Sequence, residues 1–205
     1  MGMSLNDVGE VIKTLGAVAT AGAAWFAAVT AYKGLEKWRT EAIGKQKVEL
    51  ATEVLQVVYE FAEILRTARE PWVLPHETGK QEGIPDSIAQ NSNYVPERRL
   101  LENQEFFGRF RSLKQRYAAV FGRDVAKPFD ELWRCRIDIN HAVHSMLTNS
   151  DLGKSRDADD IAEWRRWYRT AFRDPVEAKD EMLKRINAQV DAVEATCRAA
   201  IGSKA

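Results

Sequence analysis

The side chains best placed to bind a metal ion are His141 and His144, with Asp138 one helical turn before His141. Histidines three residues apart lie on one side of a helix, but a zinc site also needs a third ligand and a shell of supporting groups. No HExxH motif or cysteine cluster accompanies this pair. We therefore expect no metal and no other cofactor, and we interpret both histidines as surface or core-edge residues.

The common motifs of nucleotide-binding and hydrolytic enzymes are absent from the sequence. It contains no GxxxxGK[ST], GxGxxG or GxSxG pattern. Cys197 lies on the apolar stripe of the last predicted helix, which favours a buried thiol over a nucleophile. Catalytic carboxylate pairs stay open as an alternative, because thirty acidic residues offer many combinations. We predict a protein without catalytic activity.

Arg136 is the candidate ligand-binding residue, because it interrupts an apolar helical stripe. That stripe steps by three and four residues through Phe129, Leu132, Arg136, Ile139, Val143 and Met146. A guanidinium cannot lose its proton to escape burial, so it needs a partner or a route to water. Three explanations are open: its head reaches water along the helix edge, it pairs with a buried carboxylate, or it binds an anionic ligand.

The densest aromatic and basic cluster is the segment 164–169, WRRWYR. Such residues can stack on bases and pair with phosphates, and they also suit membrane interfaces. On a helix, however, Trp164 and Tyr168 fall on the inward stripe with Ile161, while the arginines point elsewhere. Since the formal net charge of the chain is zero, no global field attracts nucleic acid, and we expect no nucleic-acid partner.

A run of nineteen residues from Thr14 to Tyr32 carries no charge and is bounded by Lys33 on its C-terminal side and Lys13 on its N-terminal side. At about 1.5 Å per residue its length approaches the roughly 30 Å hydrocarbon core of a bilayer. We predict a transmembrane helix here. A helix buried in a soluble bundle and a cleaved signal peptide are the alternatives, although the acidic residues before the run disfavour a signal peptide.

Charges after this run predict its orientation. Five cations follow it, and one lysine precedes it; the five are Lys33, Lys37, Arg39, Lys45 and Lys47. The positive-inside rule then places the N-terminus outside and the C-terminal domain in the cytoplasm of a bacterial cell, with the chain in the inner membrane.

Small residues recur every four positions along the same run, at Gly16, Thr20, Ala24 and Ala28. Faces of this kind let helix backbones approach closely in lipid. We predict a homo-oligomer that contacts through these four residues, although alanine-rich helices also show such spacing by chance.

The rest of the chain predicts helices only, since no segment alternates as a strand would. Two adjacent apolar stripes run between residues 48 and 68, and proline or aspartate signals open later helices near Pro96, Pro128, Asp159 and Asp174. The polar, proline-rich segment 71–95 predicts a long loop. The expected fold is all-α, with an N-terminal transmembrane helix (1–33) continuing into a cytoplasmic helical bundle (34–205).

In outline the chain resembles uncharacterised bacterial single-pass inner-membrane proteins with a helical cytoplasmic domain. The features that carry the resemblance are the 14–32 run, its basic flank and the C-terminal helix that follows Asp174-Pro175. The resemblance implies no activity.

Taken together, these patterns predict a membrane-tethered, self-associating helical scaffold or effector module without catalysis. Membrane lipid, further copies of the chain and a protein partner are the expected contacts. The alternative is a soluble all-helical protein that binds a ligand or partner and buries its first helix in the bundle.

Overall fold

The computed structural model describes the backbone of residues 5–202 and the side chains of residue 20 and residues 22–202. Every regular element in this part of the chain is a helix, which confirms the all-α prediction. The α-helices are α1 (Leu5–Ala68), α2 (Asp86–Ala89), α3 (Val95–Leu101), α4 (Gln104–Phe121), α5 (Lys127–Thr148), α6 (Ala158–Ala171) and α7 (Glu181–Gly202). Single 3₁₀ turns lie at Pro75–Thr78, Ser92–Tyr94, Asp124–Ala126, Leu152–Lys154 and Glu177–Lys179.

The chain divides into two compact units, Met1–Lys47 and Val48–Ala205. The first unit comprises the N-terminal part of α1, and it includes the predicted anchor (1–33) together with the basic flank that follows. The second unit contains the remaining turns of α1 and all the other helices. Alanine is frequent between residues 17 and 31, and no proline lies in α1, so this helix continues from Leu5 through the first unit although it contains several glycines.

The predicted span at 14–32 is helical throughout, as part of α1. Among the described residues, however, no helix is long and apolar enough to cross a membrane. The transmembrane helix at 14–32 is therefore unsupported and stays a prediction. The side chains of residues 14–19 and of residue 21 lie outside the described ones.

The main core of the second unit forms around Phe61 on α1. Its ring lies 4.1 Å from the ring of Phe110 and 5.3 Å from that of Phe107, measured between centroids. The two stripes predicted on α1 between residues 48 and 68 supply one wall of this core, and buried faces of α4, α5 and α7 supply the others. The stripe on α5 is confirmed as well, because its apolar members are fully buried.

A smaller core joins α5 and α6 to the segment before α3. Trp164 packs here as predicted, and its ring lies against Gly153, where an added Cβ would come within 2.9 Å of the ring. The prediction for Tyr168 is wrong, since that side chain is 42% exposed and Trp167 packs on the core instead. Trp164 and Trp167 are three residues apart and therefore share one side of α6. The buried side of α6 thus contains Trp167 in place of Tyr168.

The segment 71–95 is more ordered than the predicted loop. It contains the first two 3₁₀ turns and α2. Hydrogen bonds from Arg99 on α3 hold the first residues of the segment in place. Arg99 holds the Glu77 carboxylate through two bonds, from Nε to Oε1 (2.6 Å) and from Nη2 to Oε2 (2.8 Å). It also donates to carbonyl groups at and beyond the end of α1, those of Thr67, Glu70 and Trp72. Unsatisfied carbonyls at a helix end need such donors.

The helix predicted to open near Pro96 is followed at once by a second one: α3 and α4 are separated only by Glu102 and Asn103. The Asn103 side chain donates to the carbonyl of Arg99 at 2.8 Å. Asparagine often competes with helical hydrogen bonding in this way, and here it lies in the break between α3 and α4.

A buried ion pair between Arg69 and Asp180 links the C-terminal end of α1 to the start of α7. Arg69 Nη2 lies 3.0 Å from Asp180 Oδ1, and both side chains are only 1% exposed. The guanidinium also donates to three carbonyls at the end of α6, those of Arg169, Thr170 and Phe172. Asp180 in turn accepts from the backbone N–H groups of Leu183 and Asp174. This pair, whose arginine follows α1, thus satisfies backbone groups at the end of α6 and at the start of α7.

This pair explains why the helix start predicted at Asp174-Pro175 is wrong. Asp174 caps only a local turn, accepting from the Val176 N–H at 2.9 Å. The last helix begins at Glu181, after Asp180, whose carboxylate accepts from the Leu183 N–H at 2.9 Å. Aspartate is a favourable N-cap residue, so both positions suit a helix start by residue type. The helix α7 begins after Asp180, the aspartate that Arg69 binds.

We expect Asp180→Ala to lower the free energy of unfolding by about 3–5 kcal/mol, because it leaves the Arg69 cation buried without its partner. Urea unfolding followed by circular dichroism measures the change. The matched control is Asp138→Ala, which removes an exposed pair with Arg185 and should cost under about 1 kcal/mol. Equal losses in the two variants would contradict a special role for the buried pair.

Candidate functional site

A polar face of α5 lies against α3 and the turn before it. Arg136, Asn140 and His144 follow one another at intervals of four residues, which places them on one side of the helix. Facing them are Glu97, in the first turn of α3, and Tyr94, at the end of the preceding 3₁₀ turn. Pro96 suits the start of α3, and an acidic side chain in the first turn favours that helix end.

Glu97 and His144 form the only carboxylate–imidazole pair among the described residues. His144 Nε2 lies 3.2 Å from Glu97 Oε1. The Glu97 side chain is 12% exposed, whereas that of His144 is 64% exposed, so the pair runs from the interior to the surface. Burial raises the pKa of the Glu97 carboxyl above its ordinary value of 4.5, and His144 and Arg136 act in the opposite direction.

Beside this pair lies a cavity of about 470 Å³, which we call the Glu97 pocket. Its size falls within the range of small-molecule sites. Apolar and polar groups share its lining, which consists of Ile84, Pro85, Ser87, Ile88, Asn91, Tyr94, Glu97, His144, Leu147, Thr148 and Ser150. Walls of this mixed kind can hold an apolar body and orient it through a few polar contacts.

Several buried polar atoms at this face have no hydrogen-bond partner among the described groups. They are Tyr94 Oη, Glu97 Oε2, Arg136 Nε and Asn140 Oδ1. Burial raises the pKa of the Tyr94 phenol, and the nearby charge of Glu97 adds to that effect. Since buried polar groups in native proteins are nearly always paired, an unpaired set of this size favours a binding role for the face.

Arg136, the predicted ligand-binding residue, lies next to the pocket rather than in its lining. Its guanidinium carbon sits 4.3 Å from the centre of the Phe107 ring and 4.8 Å from that of the Trp133 ring. Burial lowers the pKa of Arg136, and Glu97 raises it. Two aromatic faces thus contact the cation, a fourth arrangement beside the three considered from sequence.

The other singled-out residues are spread over the fold. His141 is exposed on α5, and no group of three or more metal-binding side chains lies together in the described part of the chain. The absence of a metal or cofactor stays a prediction. Cys197 is buried, as expected, and burial raises the pKa of its thiol.

The predicted oligomer face lies on α1. Thr20, Ala24 and Ala28 have exposed side chains there, and the exposure of Gly16 lies outside what the structure describes.

Sequence reasoning missed Tyr94 and Glu97. Glu97 is one of thirty acidic residues, and nothing in its immediate neighbours marks it as buried. The only signal for these two residues was their spacing: Tyr94 and Glu97 are three residues apart, and Pro96, which suits a helix start, lies between them. That spacing indicates a shared face only once α3 is known to begin at Val95.

No protein-family model, curated protein or solved structure matches this chain at a significant level. The resemblance to single-pass inner-membrane proteins therefore stays a prediction.

We expect Arg136→Met to lower the free energy of unfolding by about 1–2 kcal/mol, the scale of desolvated cation–π contacts. The same change should raise the pKa of Glu97 further, since a nearby cation favours its charged form. Urea unfolding and an NMR titration of the Glu97 carboxyl measure the two effects. Arg134→Met, on an exposed side of α5, is the control.

The raised pKa of Glu97 also sets the sign of a pH effect. Between about 4.5 and the folded-state pKa, the folded protein holds more protons than the unfolded one, so Glu97 makes stability fall as pH rises. Arg136→Met should widen this window. A loss above 3 kcal/mol with no pKa change would contradict the aromatic-contact interpretation.

Proposed function

We propose that this chain is a membrane-tethered, self-associating helical module without catalytic activity, which acts as a scaffold or effector. The observation that carries the proposal is the exposure of large apolar side chains within the uncharged run. Trp25 and Phe26 are each 74% exposed, and Tyr32 is 67% exposed. Burying one such side chain contributes roughly 1.5–3 kcal/mol, so a lipid environment would stabilise this part of α1.

The charges around the run support lipid as the occupant. Five cations follow Tyr32 within fifteen residues, and Trp38 lies among them with its side chain largely exposed. Tryptophan and tyrosine favour the membrane–water interface, and lysine and arginine favour the cytoplasmic side. In the proposed topology the N-terminus is outside and the helical domain is in the cytoplasm, at the bacterial inner membrane.

The second candidate is a soluble helical protein that binds a ligand or partner and has no membrane anchor. The Glu97 pocket supports the ligand-binding part of this hypothesis. That interpretation also requires the first helix to be buried in the bundle. The exposed Trp25 and Phe26 do not fit this requirement. Fractionation of expressing cells separates the two candidates, because only the first predicts a protein that resists extraction from membranes.

We expect the wild-type chain to stay in the membrane pellet after alkaline carbonate extraction. The variant Phe26→Arg with Ala27→Arg should move to the supernatant, because each charge near the centre of a membrane helix costs about 2.5–3.5 kcal/mol. The control, Thr40→Arg with Gln46→Arg, adds the same charge beyond the run and should remain in the pellet. A monodisperse wild-type protein in the supernatant would rule out the anchor.

We expect self-association through the face formed by Gly16, Thr20, Ala24 and Ala28. Ala24→Leu should weaken the oligomer at least several-fold, because a larger side chain keeps the helix backbones apart. Val29→Leu, five residues along on another side of α1, should have little effect. Light scattering or crosslinking of detergent-solubilised protein measures the mass. The same mass for wild type and Ala24→Leu would exclude this face as the contact.

A further inference from the structure

A second cavity of about 490 Å³ lies between α6 and α7, away from the Glu97 pocket. We call it the α6–α7 cleft. Cations outnumber acids in its lining by five to three, although the whole chain has no net charge. The lining residues are Ala162, Arg165, Arg166, Arg169, Thr170, Asp174, Lys179, Asp180, Glu181, Met182 and Arg185.

The three acids of the cleft are already engaged by other groups. Asp180 is held by Arg69 and by two backbone N–H groups. Asp174 accepts from the Val176 N–H, and Glu181 pairs with Lys184. Their charges are therefore partly compensated from outside the cleft, which leaves its cations in excess.

Three cations of the cleft make no ion pair with any described carboxylate, namely Arg165, Arg169 and Lys179. Arg165 and Arg169 lie one turn apart on α6, so their side chains leave the helix on the same side. Arg185 adds a further positive charge from α7, although it also contacts Asp138 at 2.9 Å. Positive groups from α6, α7 and the connection between them thus converge on one concave site.

We propose that the α6–α7 cleft binds a phosphoryl group. Arginine presents a planar fork of donors that matches phosphate oxygens, and two arginines with a lysine can balance a doubly charged anion. The lining contains no aromatic ring, so a nucleobase has no stacking partner there. The ligand is therefore a phosphate or diphosphate group, either free in solution or on a lipid headgroup.

The free-ligand test uses the full-length chain in a maltoside detergent, which contains no phosphate. Diphosphate should raise the melting temperature, since a ligand that binds the folded state stabilises it. Calorimetric titration at constant ionic strength gives the dissociation constant. The variant Arg165→Gln with Arg169→Gln should weaken binding at least tenfold, and raising the salt concentration should weaken the wild type.

The matched control is Arg123→Gln with Arg156→Gln. It removes the same charge from exposed positions outside the cleft and should change the dissociation constant less than twofold. Because none of these four arginines has an ion pair to lose among the described residues, both double variants should fold as the wild type does. Circular dichroism without ligand checks this point.

The lipid test adds phosphatidic acid or phosphatidylcholine to the same micelles. A rise in melting temperature with phosphatidic acid alone, abolished by the Arg165 and Arg169 changes, identifies a headgroup site. A response to diphosphate in detergent identifies a free ligand and does not depend on the proposed membrane anchor. The proposal is overturned if neither ligand binds, or if the control variant weakens binding as much as the cleft variant does.

Discussion

The second unit depends on one buried ion pair, that of Arg69 with Asp180. Three helix ends meet there, and those of α6 and α7 bring backbone groups that need partners. Arg69 supplies donors to the carbonyls at the end of α6, and Asp180 supplies an acceptor to the Leu183 N–H in the first turn of α7. Because neither charge can remain buried alone, the pair constrains α1, α6 and α7 to one mutual arrangement.

A second arginine, Arg99 on α3, satisfies backbone carbonyls at the C-terminal end of α1. Arg99 binds the carbonyls that follow α1 and holds Glu77 between them and α3. The connection from α1 to α3 is thus anchored at its start although it contains little regular structure. This anchored connection also forms part of the Glu97 pocket, because it supplies Ile84, Ile88 and Tyr94 to the pocket lining.

The two cavities differ in chemistry for physical reasons. The Glu97 pocket contains one carboxylate whose pKa is raised by burial, and Arg136 beside the pocket contacts two aromatic faces. The acids of the α6–α7 cleft have partners elsewhere, whereas three of its five cations, Arg165, Arg169 and Lys179, have no ion pair among the described residues. The first therefore suits a small molecule with an apolar body, and the second suits an anion.

Local pattern alone determined the all-α fold and the apolar stripes on α1 and α5, because a period of three and four residues reports burial directly. Arg136 could be singled out for the same reason. Pro128 likewise marked the start of α5, because proline suits the first turn of a helix. Arg69, Glu97 and Asp180 could not, since a charged residue shows no sign in its own neighbourhood that a distant partner will bury it. The tertiary structure decided between Asp174 and Asp180 as the start of α7. It did so because a capping aspartate is favoured by residue type at both positions, whereas the Arg69 cation can reach only one of them.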